Sequence, residues 1–238
     1  MYEDLIELWC IPGDHTRQVN SNIIVKGLIA KKSNNIKVVL DLGCGKGDSV
    51  DLFRELGPTI EWYGLDIEIS PEVKNRTRTD IEFFSFDGIN IPFQDNFFDL
   101  IYSNQVLEHV RKPEALLANV QRVLRPNGYF VGSVSQLEPY HSQSVWNFTP
   151  HGFCQLIKDA GLVLLEIRPS IDSLTLIIRS GLGRPRFFSR WWDKESPLNK
   201  VINFTGWLTR KSKKEINLAK VILSGQFCFI VQKSNDIG

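Results

Sequence analysis

The first 36 residues place Leu5, Ile6 and Leu8 before Pro12-Gly13 and a second apolar-rich stretch over 19–30 after it, which reads as one or two helices. The next segment has a different pattern. Val38-Val39-Leu40 is apolar with no polar alternation, as in a parallel strand covered on both faces, and it ends in Asp41. Two similar strands follow. Ile60-Glu61-Trp62-Tyr63-Gly64-Leu65 runs into Asp66, and Ile81-Glu82-Phe83-Phe84-Ser85-Phe86 runs into Asp87-Gly88. A helix is predicted over 48–56. Another opens at Pro113 and carries Leu116, Leu117, Val120, Val123 and Leu124 at helical spacing until Pro126-Asn127-Gly128 ends it before a strand over 129–134. Thr149-Pro150 caps a helix that runs to Ala160 and stops at Gly161, a sixth strand covers 162–167, and a last strand covers 227–232. The alternation of helices and strands predicts an α/β fold with a doubly wound sheet. The helices at the start are expected to cover whatever the sheet binds.

The first strand delivers the chain into Gly43-Cys44-Gly45-Lys46-Gly47, a G-x-G-x-G run. Glycines there admit positive φ and let a ligand lie against main chain, while the N-terminus of the following helix offers free N–H groups to an anion. The spacing differs from the dinucleotide fingerprint G-x-G-x-x-G, and it lacks the Gly-Lys-Ser/Thr ending of a P-loop. Asp66 falls about 20 residues beyond the glycines, where doubly wound folds place an acid that accepts from both hydroxyls of a ribose. Asp87 ends the next strand, positioned to accept from an exocyclic amine such as that of adenine. Any one of these aspartates could equally cap a helix or open a turn. Three successive strands ending in aspartate point instead to a shared crevice.

These segments resemble the class I S-adenosylmethionine-dependent methyltransferases, and among them the methyltransferase type 11 group that includes the ubiquinone and menaquinone biosynthesis enzymes. VLDLGCGKGD is similar to the first motif of that family and YGLDIE to its ribose-binding acid. FDGINIPFQDNFFDLIYSNQVLEHV resembles the adenine loop and fourth strand, and VQRVLRPNGYFVGSV the helix and fifth strand. The likeness covers about 37–135, with a weaker match over 149–166. It implies a Rossmann-like seven-stranded sheet, mostly parallel with an antiparallel last strand. It also implies S-adenosylmethionine as cofactor, with Asp41, Gly43, Cys44, Gly45 and Gly47 at the methionine portion. Asp66 and Ile67 would then lie at the ribose, Asp87 and Gly88 at the adenine, and Asn104 and Gln105 at the methionine end after the fourth strand.

The family connects its sixth and seventh strands by a short hairpin, whereas here about 55 residues intervene, far beyond common connection lengths. A helical lid inserted over 171–224 is expected. Residues 179–220 hold eleven basic and three acidic side chains, about +8 against +1 for the whole chain, so the remainder is acidic. Phe187, Phe188, Trp191, Trp192 and Trp207 are interleaved with these cations. Such a segment can meet an anionic membrane face or a lipid-diphosphate acceptor; equally, it can be a solvated lid whose aromatics pack inward. Nucleic acid is disfavoured because no RNA- or DNA-binding module is visible. The absence of an Asn/Asp-Pro-Pro-Tyr/Phe sequence after the fourth strand, as found in enzymes that methylate base amines, disfavours it further.

With 238 residues and 42% apolar content, the chain can bury one sizeable core, so 1–238 reads as one domain with 1–36 as a helical cover. Cys10, Cys44, Cys154 and Cys228 are scattered without a C-x-x-C pair, so neither a zinc site nor a disulfide framework is indicated, and no metal is required. No export signal and no uninterrupted apolar run of membrane-spanning length is seen, which predicts a cytoplasmic, soluble protein with scope for peripheral membrane contact through 179–220. If the acceptor is a hydroxyl, a nearby base aids methyl transfer. Candidates are His109, in Leu107-Glu108-His109-Val110, and His141, in Glu138-Pro139-Tyr140-His141; His151, at a helix start, reads as structural. The expected function is methyl transfer to a small or lipid-linked acceptor, with a sugar hydroxyl of a surface-glycan pathway first and a quinone-type ring second. A non-catalytic partner subunit that keeps the cofactor fold is the alternative from another class. The glycine spacing disfavours an NAD-dependent oxidoreductase.

Overall fold

The computed structural model describes residues 2–32 and 35–235. Seven strands form one sheet: β1 (Val38–Leu42), β2 (Glu61–Ile67), β3 (Phe83–Phe86), β4 (Phe98–Asn104), β5 (Leu124–Ser135), β6 (Leu162–Pro169) and β7 (Gln226–Lys233). Their order is β3-β2-β1-β4-β5-β7-β6. β3, β2, β1, β4 and β5 pair in parallel, and β7 runs antiparallel to both β5 and β6. This is the Rossmann-like methyltransferase architecture that the motifs implied.

The sheet is covered on both faces, which explains the unbroken apolar run of β1, buried at every position. Val39, Leu100, Tyr102, Val131 and Cys228 face one side, under α2 (Ser21–Lys32) and α3 (Ser49–Leu56). Leu40, Leu42, Leu65, Ile101, Phe130 and Phe229 face the other, with α5 (Pro113–Val123) and α6 (Pro150–Asp159). Gly132 of β5 sits where any Cβ would overlap the Ser103 carbonyl of β4, so that strand pair tolerates only glycine.

Boundaries differ from expectation where pairing outruns local sequence. β2 continues through Asp66 to Ile67 because Asp66 is in register with Ser85. β3 starts at Phe83, not residue 81. β5 begins at Leu124, ahead of the Pro126-Asn127-Gly128 turn expected to precede it, because Phe98 pairs with Leu124 before the register shifts. The amino-terminal cover divides. α1 (Tyr2–Leu8) packs against the insertion, and only the start of α2 reaches the carboxyl edge of the sheet, where the Ser21 hydroxyl lies 2.8 Å from the Tyr102 hydroxyl and donates to Asn104 Oδ1 at 2.8 Å.

Between β6 and β7 the chain forms α7 (Ser173–Gly181), a 3-10 turn (Arg186–Ser189), α8 (Arg190–Asp193), α9 (Pro197–Leu208) and α10 (Lys213–Ile222), preceded by a four-residue α4 (Pro71–Lys74) much earlier in the chain. A buried polar seam stitches this insertion down. Gln18 Oε1 accepts from Ser196 N (3.0 Å) and Asn199 Nδ2 (2.7 Å), while Gln18 Nε2 donates to the Trp191 carbonyl (2.6 Å). Fully buried Lys220 pairs with Glu195 and donates to the Thr16 carbonyl at 2.6 Å. Burial lowers the Lys220 pKa against the pull of Glu195, so the ammonium depends on its partner. Removing one member of such a pair leaves an uncompensated charge. Lys220→Met is therefore expected to lower unfolding free energy by about 3 kcal/mol in urea, with Glu195→Gln added to it recovering part of the loss. A single-variant loss below about 1 kcal/mol would place the pair among the weak surface bridges.

Candidate functional site

In the strand order β3-β2-β1-β4-β5 the direction of winding reverses between β1 and β4, and ligands of open α/β sheets bind in the crevice beyond the carboxyl ends at that point. Asp41 lies near the end of β1, level with Tyr102 of β4. Its carboxylate is buried, accepts from Ser49 Oγ, and is pushed up to about 7 by burial first and by Asp66 and Asp48 next. Ser49 is itself held by Trp62 Nε1 at 2.9 Å. Among the described residues no Lys, Arg or His forms an ion pair with Asp41 or Asp66.

The glycine loop wraps this carboxyl. Gly43 N and Cys44 N both donate to the Leu65 carbonyl, at 2.7 and 3.1 Å, and Gly45 N donates to Asp66 Oδ2 at 2.7 Å. Gly43 has φ +74° with Val106 where its Cβ would lie, and Gly47 has φ +83° with Phe83 Cε1 2.9 Å from that position. Both conformation and space therefore demand glycine. α4 lies over the loop: the Gly45 Cβ position is 3.4 Å from Glu72, and Arg76 Nε donates to the Gly45 carbonyl at 2.7 Å with its guanidinium over the Phe83 ring. Cys44 is buried, and burial raises its thiol pKa, so it is an inert wall of the loop.

The structure thus brings Asp41, Asp66 and the glycine loop together. Asp87 stands one strand further out, with Oδ1 accepting from Ile89 N (2.8 Å) and Asn90 N (2.6 Å) and Oδ2 facing Asn90 Nδ2. These bonds, those of Asn90 foremost, hold its pKa low and shape the loop after β3. A Cβ at Gly88 would lie 3.8 Å from Ile67, whose exposed side chain follows Asp66 in β2. Asn104 Oδ1 accepts from Ser21 and Ser133, both at 2.8 Å. Gln105, at φ +58°, turns away from the glycine loop: with its amide nitrogen toward them it donates to Glu108 Oε1 at 2.8 Å and lies 3.3 Å from Glu138 Oε2.

Beyond Gln105 the two candidate histidines meet. The His109 and His141 rings are 5.5 Å apart at 81°, although they come from separate segments. The strap that carries His141 is pinned by Val145 N and Trp146 N to the Glu108 carbonyl, at 2.7 and 3.0 Å, and turns through Ser142 and Gln143, both at positive φ. Two consecutive non-glycine residues in that region store strain, of the kind concentrated at functional sites. Burial and His141 lower the His109 pKa, and Glu72, the residue packed over Gly45, opposes them. Val106 packs where a Gly43 Cβ would lie and its carbonyl accepts from His109 N at 2.9 Å, so the turn that carries His109 adjoins the glycine loop. Sequence reasoning named both histidines but passed over Glu108 and Glu138, whose signal was an acid one residue before His109 and another three before His141.

Fold and crevice define an α/β domain with two carboxylates beside a glycine loop at the strand-order reversal. Residues 40–132 match the family described as "Methyltransferase domain", in line with the likeness of their motifs. A demethylmenaquinone methyltransferase of Renibacterium salmoninarum is 34% identical over 94 residues, covering 39% of this chain and 39% of that protein. A 2-phytyl-1,4-naphtoquinone methyltransferase of Nostoc punctiforme is 31% identical over 131 residues, covering 52% and 55%. The matches span about two fifths to about half of the length of these curated relatives. The O-methyltransferase from a trans-AT PKS multienzyme of Brevibacillus brevis, solved with S-adenosyl-L-homocysteine, has the same fold, with TM-score 0.54 at 18% identity over 89% of this chain and 71% of that one.

Asp41 sets a pH dependence of stability. Its folded pKa lies above its unfolded value near 3.9, so its contribution is fully present below about pH 4, falls as pH rises toward 7, and is absent above that. Asp41→Asn keeps the acceptor for Ser49 and removes the titration. The variant should gain on the parent between about pH 4 and about pH 7, by at most about 1.4 kcal/mol per pH unit in urea unfolding, whereas parallel curves would mean Asp41 is ionised without cost.

Proposed function

We propose that this protein transfers a methyl group from S-adenosylmethionine to a hydroxyl-bearing acceptor presented on a lipid. The observation that carries the reading is the pair Asp41 and Asp66 converging on the glycine loop at the strand-order reversal, without a cationic partner among the described residues, within a segment that matches a methyltransferase domain. Two carboxylates so placed suit a ligand that carries positive charge, and they suit a ribose diol at Asp66. In this reading Asp41, Gly43, Cys44, Gly45 and Gly47 hold the methionine portion, Asp66 and Ile67 the ribose, Asp87 and Gly88 the adenine, and Asn104 the methionine end. Gln105 shapes the acceptor side instead, since its amide faces Glu108 and Glu138. When bound, the cofactor supplies a methyl group on a sulfonium and leaves as S-adenosylhomocysteine. The chain has to hold the acceptor in line, keep water out, and receive or loosen the acceptor's proton. His109 and His141 mark that acceptor end.

A cleft of about 90 Å³ opens beside His141 and is lined by Glu138, Ser142, Arg179 and Arg184 among others. Arg179 Nε is buried without a partner, and Arg184 donates to the Tyr140 carbonyl at 2.9 Å. Two guanidiniums next to the histidine pair suit a phosphate-linked acceptor. The insertion also carries an outward apolar face: Leu174, Ile177 and Ile178 on α7, and Val201, Phe204 (60% exposed) and Trp207 (72% exposed) on α9. Each set follows helical spacing, and Arg184, Arg186, Arg190, Lys200 and Arg210 are exposed in the same insertion. Exposed apolar and aromatic side chains together with cations match an anionic lipid surface, on which these helices would lie. Among the described residues no helix is long and apolar enough to cross a membrane. A sugar hydroxyl on a lipid diphosphate fits this face and cleft. The named relatives favour a second reading, a quinone-type ring, which is also lipid-borne.

Calorimetry should show S-adenosylmethionine binding and no NAD binding, with Asp66→Ala weakening the former by about tenfold or more. Because the cationic ligand favours ionised Asp41, affinity should rise from about pH 5.5 to about pH 7 in the parent but not in Asp41→Asn. Absence of S-adenosylhomocysteine after incubation with labelled cofactor, a lipid-linked glycan fraction and quinone precursors would instead support the non-catalytic partner reading. In flotation, vesicles rich in anionic lipid should carry the parent, and Phe204→Ser/Trp207→Ser should not float. Equal flotation of both would assign the exposed face another role.

A further inference from the structure

The acceptor end holds an arrangement that proton transfer alone does not explain. Donor atoms of Glu108, His109 and His141 all lie within 4.8 Å of one another. Glu108 is completely buried, yet its Oε2 has no hydrogen-bond partner; its Oε1 accepts from Ser135 Oγ at 3.0 Å. His141 Nδ1 is likewise buried and unpartnered, with Glu138 Oε1 3.8 Å away. Glu138 Oε2 shares the same Ser135 hydroxyl, at 2.9 Å, and accepts from Gln226 Nε2 at 2.7 Å. Two acids and two imidazoles therefore crowd one spot, and among the described residues no Lys or Arg lies within ion-pair distance of either acid. Two buried atoms of one cluster, Glu108 Oε2 and His141 Nδ1, are left without a hydrogen-bond partner, which is costly unless another group meets them.

We propose that Glu108, His109 and His141, with Glu138 beside them, form a binding site for one divalent first-row transition cation. Two imidazoles and a carboxylate are the ligand set of zinc and of other first-row ions, and imidazole disfavours magnesium and calcium. Ligand bonds near 2.0–2.2 Å place donor atoms about 3–4 Å apart, so side-chain shifts of about 1 Å or less close the site. Ser135, Gln105 and Gln226 supply the outer hydrogen bonds that orient the two acids. The cleft that holds Arg179 and Arg184 borders His141 and Glu138 of this cluster. What the ion does there rests on the methyl-transfer reading: it would bind the acceptor's hydroxyl oxygen and make that proton easier to lose. The imidazole lone pairs then serve the ion and not the acceptor's proton.

Full-length protein stripped with a chelator is titrated with Zn²⁺ by calorimetry and with Co²⁺ by visible absorption. One ion per chain is expected, with the cobalt bands of an ordered nitrogen and oxygen site and a rise in melting temperature on adding Zn²⁺. His109→Asn, His141→Asn and Glu108→Gln should each weaken binding by about tenfold or more. A variant that unfolds is replaced by Glu138→Gln, on the rim of the site, which should shift the cobalt spectrum. No stoichiometric binding by the folded parent, or unchanged affinity in both histidine variants, overturns the site. S-adenosylmethionine is titrated separately: failure there removes the methyl-transfer reading while leaving the metal result standing.

Discussion

A carboxyl group buried without a cation is the constraint around which the site is organised. Asp41 cannot be solvated where β1 ends, since the sheet is covered on both faces and α3 starts immediately behind the loop. It is stabilised by one serine hydroxyl, which Trp62 holds in place. Without a ligand the carboxyl is relieved by keeping its proton up to about pH 7, and the loop leaves room for a group to come close. Gly43 and Gly47 have no room for a side chain, and Asp66 is anchored through Gly45 to the same turn. The cost of burying Asp41 is thus coupled to recognition: the group that destabilises the free fold is the one a cationic cofactor would relieve.

The histidine cluster depends on backbone conformations that few residues adopt willingly. Gln105 leaves β4 at positive φ and directs the chain into the turn that carries Glu108 and His109. Ser142 and Gln143 do the same for the strap that carries His141, which main-chain bonds to the Glu108 carbonyl hold in place. Strain at three positions is maintained by packing, and its effect is to set two histidines and two acids around one gap. Val106, packed at Gly43 and bonded through its carbonyl to His109 N, ties this cluster to the glycine loop.

The insertion resolves into two surfaces with different jobs. Its inner side is polar and specific, with Gln18, Ser196, Asn199, Asp172, Lys220 and Glu195 satisfying one another in the interior. Its outer side exposes Leu174, Ile177 and Ile178 on α7 and Val201, Phe204 and Trp207 on α9. The packed-lid reading describes the inner side, and the proposed lipid contact concerns the outer one. Phe188 is buried as a packed lid requires, while Phe204 and Trp207 project outward.

Much of the fold was legible in the chain itself, because strands covered on both faces must be continuously apolar and helices must repeat their apolar positions. Val38-Val39-Leu40 and the glycine spacing marked the strand and loop beside which Asp41 and Asp66 meet, whereas Asp87 stands apart. Strand ends were less legible: Leu124 and Ile67 belong to strands through pairing partners far away in sequence. Local sequence likewise could not distinguish the roles of the three aspartates. Asp87 has its oxygens engaged by its own loop, whereas Asp41 is enclosed by elements from several parts of the chain. The meeting of Glu108, His109, Glu138 and His141 is wholly tertiary, since no ligand spacing links them and a strained strap brings His141 into place. Short-range pattern determines which residues face the core; which charges end up together is decided by long-range packing, because burial and proximity belong to the folded chain alone.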